Sequence, residues 1–359
     1  MKRISLLITL LILVASCEQS PKNVTLEWSA GEKLPLEISN NAVASAEVNG
    51  EWQLYTFLGL EKGKAIGDIS TFSATFNPET SVWTELPVVP DEIGRLGSTA
   101  QTANGSIYIF GGYTVDESGA EISTHEVFKF NPANDTYEQV ADMLIPVEDA
   151  VSLVYQDRYI YLVSGWNNTN NVSNVQVYDT QTNSWEHATP YPGPPVFGHS
   201  GGIVGNKMVL SDGVQAKVDD GERIYMMSPG SIKGEIDTAD HSIINWVRIK
   251  QHPGKARYRM ASIGIDSPVE MVLFVGGTSN PYNYNGIGYN AQPSFPDSAV
   301  FAYRLDTDEW VNLGNQPSPT MDHRGIARSG NDYYVLGGMN GSQQVSDQVH
   351  KFKLHIKND

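Results

Sequence analysis

The strongest constraint on the fold of this chain is a short apolar run that ends on glycine and recurs along the sequence. The clearest copy reads SIYIFGG, over residues 106–112. Related runs end at Leu60, Gly165, Gly213, Gly277 and Gly338, so successive copies lie 48 to 64 residues apart. Such runs indicate buried strands, and paired glycines supply positive φ angles and room for close backbone approach. Six copies in series predict a repeat architecture in which neighbouring units bury one another's faces.

A second marker is an aromatic residue placed seven positions before a Trp or Tyr. It occurs at Phe76 and Trp83, Phe130 and Tyr137, Tyr178 and Trp185, and Tyr303 and Trp310. Turn-forming segments such as NPETSV and DTQTNS separate the two aromatics, so each unit is expected to form strand, turn, strand. Double glycine, aromatic, six residues and Trp together resemble the kelch repeat. The resemblance implies a β-propeller with four strands in each blade.

The fourth repeat matches this pattern least well. It has SDG in place of the double glycine and Met227 at the usual aromatic position. The segment SPGSIKGEIDTADHSIIN then forms an unusually long connection between the predicted third and fourth strands.

The two ends of the chain predict closure of a ring. The last repeat continues to HKFKL, residues 350–354, and stops before any Trp strand. The segment VTLEWSAGEKLP, which contains Trp28, parallels the sequence around Trp185. We therefore predict an all-β, six-bladed kelch-type propeller over residues 24–359, closed by an N-terminal strand that completes the C-terminal blade.

The first residues have the pattern of a targeting segment. Lys2 and Arg3 precede an apolar run from Ile4 to Ala15, which is typical of a signal peptide and too short for a stable membrane-spanning helix. The sequence LVASC resembles a bacterial lipobox, which implies a signal peptide over residues 1–16, lipidation at Cys17 and a tether over residues 17–23. Glu18 after the cysteine implies, by the same resemblance, export to the outer membrane, on its periplasmic or cell-surface side. Cys17 is the only cysteine, so neither a disulfide nor a thiolate site is expected in the propeller.

Charge and motif content exclude several classes of function. The net charge is −17, or −19 without Lys2 and Arg3, so nucleic acid is a poor partner. The eight histidines show none of the HxH, HxxxH or HExxH spacings. No phosphate-loop motif is present. We expect no metal and no cofactor.

Propeller topology predicts where a site would lie. Residues that lead into the innermost strand of each blade share one face with the loop between the second and third strands. That face should gather polar and aromatic side chains around a channel mouth, including Glu148 and Asp322. The candidate ligand-binding residues are Arg95, Arg257, Arg259, Arg324, Trp166, Tyr113, Tyr282 and Tyr284. Arginine binds carboxylates bidentately and aromatic faces stack on sugars, so a polar, carbohydrate ligand is predicted there.

Acid–base candidates at the same face are His199, Asp149 and His323, since histidine titrates near neutral pH. The alternative is structural, because Arg and His at these positions can also hydrogen-bond loop carbonyls.

Two enzyme families share features with this chain. Galactose oxidase resembles it only in fold, because that enzyme's copper-radical site needs a cysteine-linked tyrosine. The secreted N-acetylneuraminate epimerases, which are sialic-acid mutarotases, are similar in size, export, six-blade layout and phrases such as GRLGSTAQTANGSIYIFGG. That family places a catalytic Glu directly after the glycine of its fourth blade and an Arg six residues later. Here those positions hold Val214 and Asp220.

Two hypotheses follow from this reading. The first is a non-catalytic lipoprotein that binds a sugar, acidic or neutral, or a protein partner. The second is a carbohydrate-active isomerase, similar to the mutarotases, or a lyase, acting on an acidic sugar.

Overall fold

The chain forms one closed ring of six four-stranded antiparallel blades, seen in a computed structural model that describes residues 23–357. Strands a to d run from the axis outward in each blade, and the a strands of neighbouring blades contact one another. The predicted six-bladed propeller is confirmed.

The strand bounds follow the repeats. Blade 1 comprises Ala42–Val48, Glu51–Glu61, Ile69–Asn77 and Val82–Glu85, and blade 2 comprises Thr99–Ala103, Ser106–Phe110, Val127–Asn131 and Thr136–Val140. Blade 3 comprises Val151–Tyr155, Tyr159–Val163, Val175–Asp179 and Ser184–Ala188, and blade 4 comprises Ser200–Val204, Lys207–Ser211, Ser231–Ile236 and Ile244–Ile249. Blade 5 comprises Ala261–Ile265, Met271–Val275, Ala299–Arg304 and Glu309–Asn315, and blade 6 comprises Ala327–Ser329, Asp332–Leu336, Val349–Lys357 and Asn23–Ala30.

Smaller elements extend three of the blades. A short strand at Ile38–Ser39 adds to strand b of blade 1, and a single 3-10 turn covers Ile66–Asp68. Two-stranded hairpins form the b–c loops of blades 2 and 4, with bounds Tyr113–Val115 and Glu121–Ser123, and Val214–Asp219 and Glu222–Met227.

The N-terminal strand closes the ring, as expected. It pairs with strand c of blade 6 over its whole length, and Trp28 lies directly opposite Phe352. The two rings are 4.7 Å apart between centroids. The last blade therefore combines three strands from the C-terminus with one from the N-terminus, which leaves no blade with a missing edge.

The glycine-ended runs have a direct structural explanation. We call the segment between strand d of one blade and strand a of the next blade the d–a linker. The second glycine of each pair, or its equivalent, donates its N–H to a carbonyl of the d–a linker that follows its own blade. The six bonds run from Gly59 to Arg95, Gly112 to Val147, Gly165 to Val196, Gly213 to Arg257, Gly277 to Thr320 and Gly338 to Ile38. A Cβ atom at Gly112 would lie within 3.0 Å of Ser98 Oγ, and the residue has a φ of +90°. Glycine is required there because neighbouring backbones meet without space for a side chain.

The aromatic marker is a cross-strand pair. Tyr178 lies directly opposite Trp185 in the hairpin of strands c and d, as Phe76 lies opposite Trp83. The indole N–H of Trp185 donates to the carbonyl of Ala141 in the preceding d–a linker at 2.8 Å. Six apolar clusters fill the interfaces between successive blades, and a seventh cluster lies at the ends of the b strands. The marker therefore anchors each blade to its neighbour.

The sequence interpretation of blade 4 was wrong in detail. Met227 ends the second strand of the b–c hairpin and is not part of strand c. Strand c is Ser231–Ile236, and Gly234 takes the place opposite Trp246. The long connection predicted between strands c and d is therefore mostly strand c itself, because the hairpin insertion displaced the pattern by several residues.

Candidate binding site at the channel mouth

The d–a linkers meet around the axis in an equivalent conformation. One residue in each linker has a positive φ, between 53° and 72°, at Asn40, Gly97, Asp149, Gly198, Arg259 and Asp322. Backbone hydrogen bonds join neighbouring linkers, for example from Gly198 N–H to Asp149 O at 2.8 Å and from Arg259 N–H to Gly198 O at 2.8 Å. Four of the six residues carry polar or charged side chains, and these side chains meet one another.

A buried ion network links the four with Arg324. Arg259 donates to Asp149 Oδ2 at 2.7 Å and to Asp322 Oδ1 at 3.0 Å. Arg324 pairs with Asp149 and donates to Asn40 Oδ1 through Nε at 3.0 Å, while Asn40 Nδ2 donates to Asp322 Oδ1 at 3.0 Å. All of these side chains are at most 5% exposed. Two guanidinium groups and two carboxylates therefore neutralise each other, which is how buried charges are tolerated. We call these five residues the axial network.

Two cavities lie on either side of the axial network. On the far side, a cavity of about 360 Å³ follows the a strands and includes Arg324 and Arg328 among its lining residues. Several hydroxyls there already join neighbouring blades, such as Ser200 Oγ to Met260 O at 3.0 Å and Ser262 Oγ to Gly201 O at 2.8 Å. Asp149 and Arg259 face the other cavity, which opens at the predicted mouth.

The cavity on the mouth side, here called the mouth pocket, is small and has aromatic and acidic walls. Its volume is about 20 Å³. The lining residues are Tyr113, Glu121, Glu148, Asp149, Trp166, Phe197, Tyr225, Arg259, Asn283 and Tyr289. Aromatic and polar walls are the usual composition of a small-molecule site, but a cavity of this volume holds about one water, so a larger ligand has to displace part of the wall.

Glu148 is a strongly perturbed carboxyl group in the mouth pocket. The residue is 5% exposed, and Ser123 Oγ donates a hydrogen bond to its Oε2 at 3.0 Å. Its other oxygen, Oε1, has no hydrogen-bond partner among residues 23–357. Burial raises the pKa of Glu148 to about 8, with a further contribution from the nearby charge of Glu121. Glu148 is therefore largely protonated at neutral pH.

An aromatic pair covers the mouth pocket. Tyr225, from the blade 4 hairpin, stacks on Tyr289, from the b–c loop of blade 5, with ring centroids 3.8 Å apart. The guanidinium of Arg223 lies 5.0 Å from the Trp166 ring centre and donates to Thr169 O at 2.9 Å. Loops from blades 3, 4 and 5 thus converge over the pocket.

Several predicted site residues meet at this face. Trp166, Tyr113, Asp149 and Arg259 line the mouth pocket, and Arg324 belongs to the axial network behind it. Tyr282 is fully buried in the apolar cluster at the ends of the b strands, beside Arg259, and Tyr284 packs against the same cluster.

The structure does not bring Arg95 and Arg257 to the axis. Arg95 pairs with Asp91 and Glu126 and donates to Gly111 O at 3.3 Å. Arg257 donates to Asp297 at 2.9 Å and lies over the Phe301 ring. Both make the loop contacts of the structural alternative, so the expected convergence of Arg95, Arg257 and Arg324 is wrong.

The structure separates the predicted acid–base residues. His199 and His323 line the cavity on the far side of the axial network, and neither ring nitrogen of His199 has a hydrogen-bond partner among the described residues. His199 and His323 lie outside the mouth pocket, and burial lowers the pKa of each to about 3, so both are neutral at pH 7. His323 packs against Gly338, where a Cβ atom would lie within 3.0 Å of the imidazole. Asp149 accepts hydrogen bonds from Arg259, Arg324 and Tyr258. These contacts support packing and charge balance rather than proton transfer.

Sequence reasoning missed the acidic and aromatic side chains that form the pocket. Glu148 was expected at the mouth without a role, while Glu121, Tyr225 and Tyr289 were not singled out. No local motif marks these four, because three come from b–c loops whose positions depend on the fold.

The positions that differ from the epimerase pattern are now defined. Val214 is fully buried in the apolar cluster at the ends of the b strands, and Asp220 lies at the tip of the blade 4 hairpin.

Within residues 23–357 no group of three or more His, Cys, Asp or Glu side chains could hold a metal ion. No helix of that same range is long and apolar enough to cross a membrane. Cys17 and the predicted signal peptide lie outside the described residues.

Fold and repeat pattern together define a kelch-type β-propeller. The family model described as the attractin/LZTR1 β-propeller matches residues 54–346, and the chain belongs to this family.

Individual relatives are more distant. Human kelch-like protein 15 is 24% identical over 280 residues, which cover 76% of this chain and 43% of that protein, so the match spans less than half of the relative. N-acetylneuraminate epimerase of Salmonella arizonae is 21% identical over 314 residues, covering 73% of this chain and 76% of the epimerase. A solved structure titled "Structure of YjhT" superposes with a TM-score of 0.69 and 14% identity, over 91% of this chain and 99% of that one. This likeness shows the fold.

Proposed function

We propose that this propeller is a binding protein whose ligand site is the mouth pocket, and that the ligand is a polar molecule of the carbohydrate type. One observation carries the proposal. Glu148 presents an unpartnered carboxyl oxygen inside a pocket walled by Trp166, Tyr225 and Tyr289. Carboxyl groups exchange hydrogen bonds with hydroxyls, and aromatic faces stack on sugar rings.

The state of the arginines changes the expected ligand charge. Arg259 and Arg324 are both neutralised by Asp149 and Asp322 within the axial network. Neither guanidinium is free to bind a carboxylate bidentately, and a carboxylate would receive no other cation from the residues that line the pocket. The contacts therefore favour a neutral or cationic ligand over the acidic sugar expected from sequence.

A panel of neutral, amino and acidic monosaccharides, followed by NMR and calorimetry, tests the binding proposal. Trp166→Ala should weaken binding at least tenfold if the indole forms a wall of the site. Trp52→Ala is the matched control, because Trp52 lines the cavity on the far side of the axial network. Equal loss in both variants, or no binding by any sugar, would contradict a sugar site at the mouth and favour a protein partner.

An isomerase resembling the mutarotases is the second candidate. The distant epimerase homologue and the protonated Glu148 favour it, because anomeric exchange needs a general acid near the ring oxygen. Glu121, whose charge acts on Glu148 and which lines the same pocket, would act as the base. NMR exchange spectroscopy should then show faster anomeric interconversion, lost in Glu148→Gln. An unchanged rate leaves a binding protein.

We further propose that the protein is exported and anchored by lipid at Cys17. The basis is the sequence LVASC after an apolar run. Wild-type protein should fractionate with membranes, and Cys17→Ser should become soluble or remain an unprocessed precursor. Identical fractionation of the two would contradict lipidation. Several acyl chains on one cysteine anchor a protein stably, whereas one chain binds weakly.

A further inference from the structure

We propose that the mouth pocket recognises an organic cation, a guanidinium or protonated amine carried by the ligand, with Glu148 and Glu121 as its counter-ions. This inference rests on the proposed binding at the mouth and names the chemistry of that ligand.

The first argument is charge balance around the mouth pocket. Arg259, Arg324, Asp149 and Asp322 contribute two positive and two negative charges, all within the axial network. The acids left without a guanidinium partner in the pocket are Glu148 and Glu121. A cation that enters therefore meets two carboxyl groups outside the axial network, of which Glu148 becomes charged when it loses its proton.

The second argument is the unpartnered oxygen. Glu148 is 5% exposed, and only Oε2 has a partner, the hydroxyl of Ser123. A carboxyl oxygen that the protein leaves without a partner can exchange a hydrogen bond with a ligand or an ordered water. Glu148 Oε1 is not one of the fully buried, unpartnered side-chain atoms of residues 23–357, so it is reachable from the mouth pocket that Glu148 lines.

The third argument is the aromatic wall. Trp166, Tyr225 and Tyr289 present ring faces, which attract cations through the ring quadrupole. Arg223 of the chain already lies 5.0 Å from the Trp166 ring centre. The protein itself thus places a guanidinium on one wall of the pocket.

Cation binding is expected to be coupled to proton release. Burial raises the pKa of Glu148 to about 8, so a cation must displace the proton to gain a counter-ion. The titratable and charged groups that face Glu148 are Glu121, Arg259, Arg324, Tyr113, Tyr225 and Tyr289. Affinity should therefore rise by about tenfold per pH unit below the pKa of Glu148 and level off above it.

Methylguanidinium and methylurea provide a matched test, because they are both planar and differ in charge. Guanidinium stays protonated across the pH range. We expect NMR titration to show methylguanidinium binding at least tenfold more tightly than methylurea at pH 8. Glu148→Gln should abolish both the preference and the pH dependence. Glu117→Gln, which removes an exposed acid from the b–c loop of blade 2 that also carries Glu121, should change neither.

Failure of this inference is distinguishable from failure of the proposed function. Equal binding of the two probes overturns cation recognition and leaves the mouth as a site for neutral ligands. If the stacked tyrosines exclude both probes, Tyr289→Ala opens the pocket, and absence of binding in that variant as well overturns both proposals.

Tighter binding after Arg223→Gln supports the inference, because it frees the Trp166 face. Glucosamine compared with glucose then shows whether the cation is carried by a sugar.

Discussion

The axial network and the mouth pocket are adjacent but treat charge in opposite ways. In the axial network, every carboxylate meets a guanidinium, and Asp149 and Arg259 also form part of the wall of the mouth pocket. In the mouth pocket, Glu148 keeps one oxygen without a partner and is mostly protonated at neutral pH. The contrast separates residues that stabilise the ring from residues that are available to a ligand. Asp149 belongs to the residues that stabilise the ring, and Glu148, its neighbour in sequence, belongs to the residues that a ligand can reach.

The largest expected effect comes from breaking the axial network. Arg259→Met should cost roughly 3 to 5 kcal/mol in the free energy of unfolding, because Asp149 and Asp322 would be left buried without their shared partner. Urea unfolding measures this. Arg223→Met is the control, since Arg223 is exposed and should change stability by less than about 0.5 kcal/mol. A loss below about 1 kcal/mol for Arg259→Met would show that the network is not a structural element.

The second effect is a pH slope produced by Glu148. Its pKa is raised from 4.5 to about 8, so between these values the folded state holds a proton that the unfolded state releases. Stability from this group is present below about pH 4.5 and lost as the pH rises to about 8, with a slope of up to about 1.4 kcal/mol per unit. Glu148→Gln should remove that slope in urea unfolding series from pH 5 to 9, whereas Glu117→Gln should keep it. An unchanged slope in Glu148→Gln would mean that Glu148 is hydrated.

The third effect is a pH dependence of stability with the opposite sign, produced by His323 near the axis. Burial lowers the pKa of His323 from 6.5 to about 3, so the unfolded state binds a proton that the folded state does not. Stability therefore falls as the pH decreases below 6.5, again by up to about 1.4 kcal/mol per unit. His323→Asn should reduce this slope, and the exposed His125→Asn should not. If both variants match wild type, the histidine is not buried as described.

The smallest effect is expected at the cover of the mouth pocket. Tyr289 is 38% exposed and stacks only on Tyr225 among the aromatic rings of the described chain. Tyr289→Ala should therefore change stability by less than about 1 kcal/mol. The same variant should accelerate exchange of small probes with the pocket, measured by NMR line shapes. A large stability loss without faster exchange would assign Tyr289 to the core rather than to the site.

The epimerase comparison shows how far similarity in fold extends to function. By the sequence resemblance, Val214 is expected at the position of that family's catalytic Glu, and in the structure it is buried among apolar side chains. The acidic group at this mouth comes instead from blade 3, as Glu148. Because one fold can carry different sites, function must be argued from the residues at the site.

The sequence alone determined the ring. The Gly112 and Trp185 markers recur because each blade needs the same close backbone contact and the same indole anchor. Trp28 identified the N-terminal strand of the last blade, because the last repeat lacked its Trp strand and the segment around Trp28 matched that strand. Repetition makes such signals readable, because local geometry is the same in every copy.

Only the tertiary structure decided which polar residues form the site. Arg95, Arg257, Arg259 and Arg324 look alike in sequence, yet two remain within their blades and two join the axial network. Glu148, Glu121 and Tyr289 are far apart in the chain and meet through three different loops. Charge pairing and burial depend on the partners that the closed ring brings within hydrogen-bonding distance, and no local pattern contains that information.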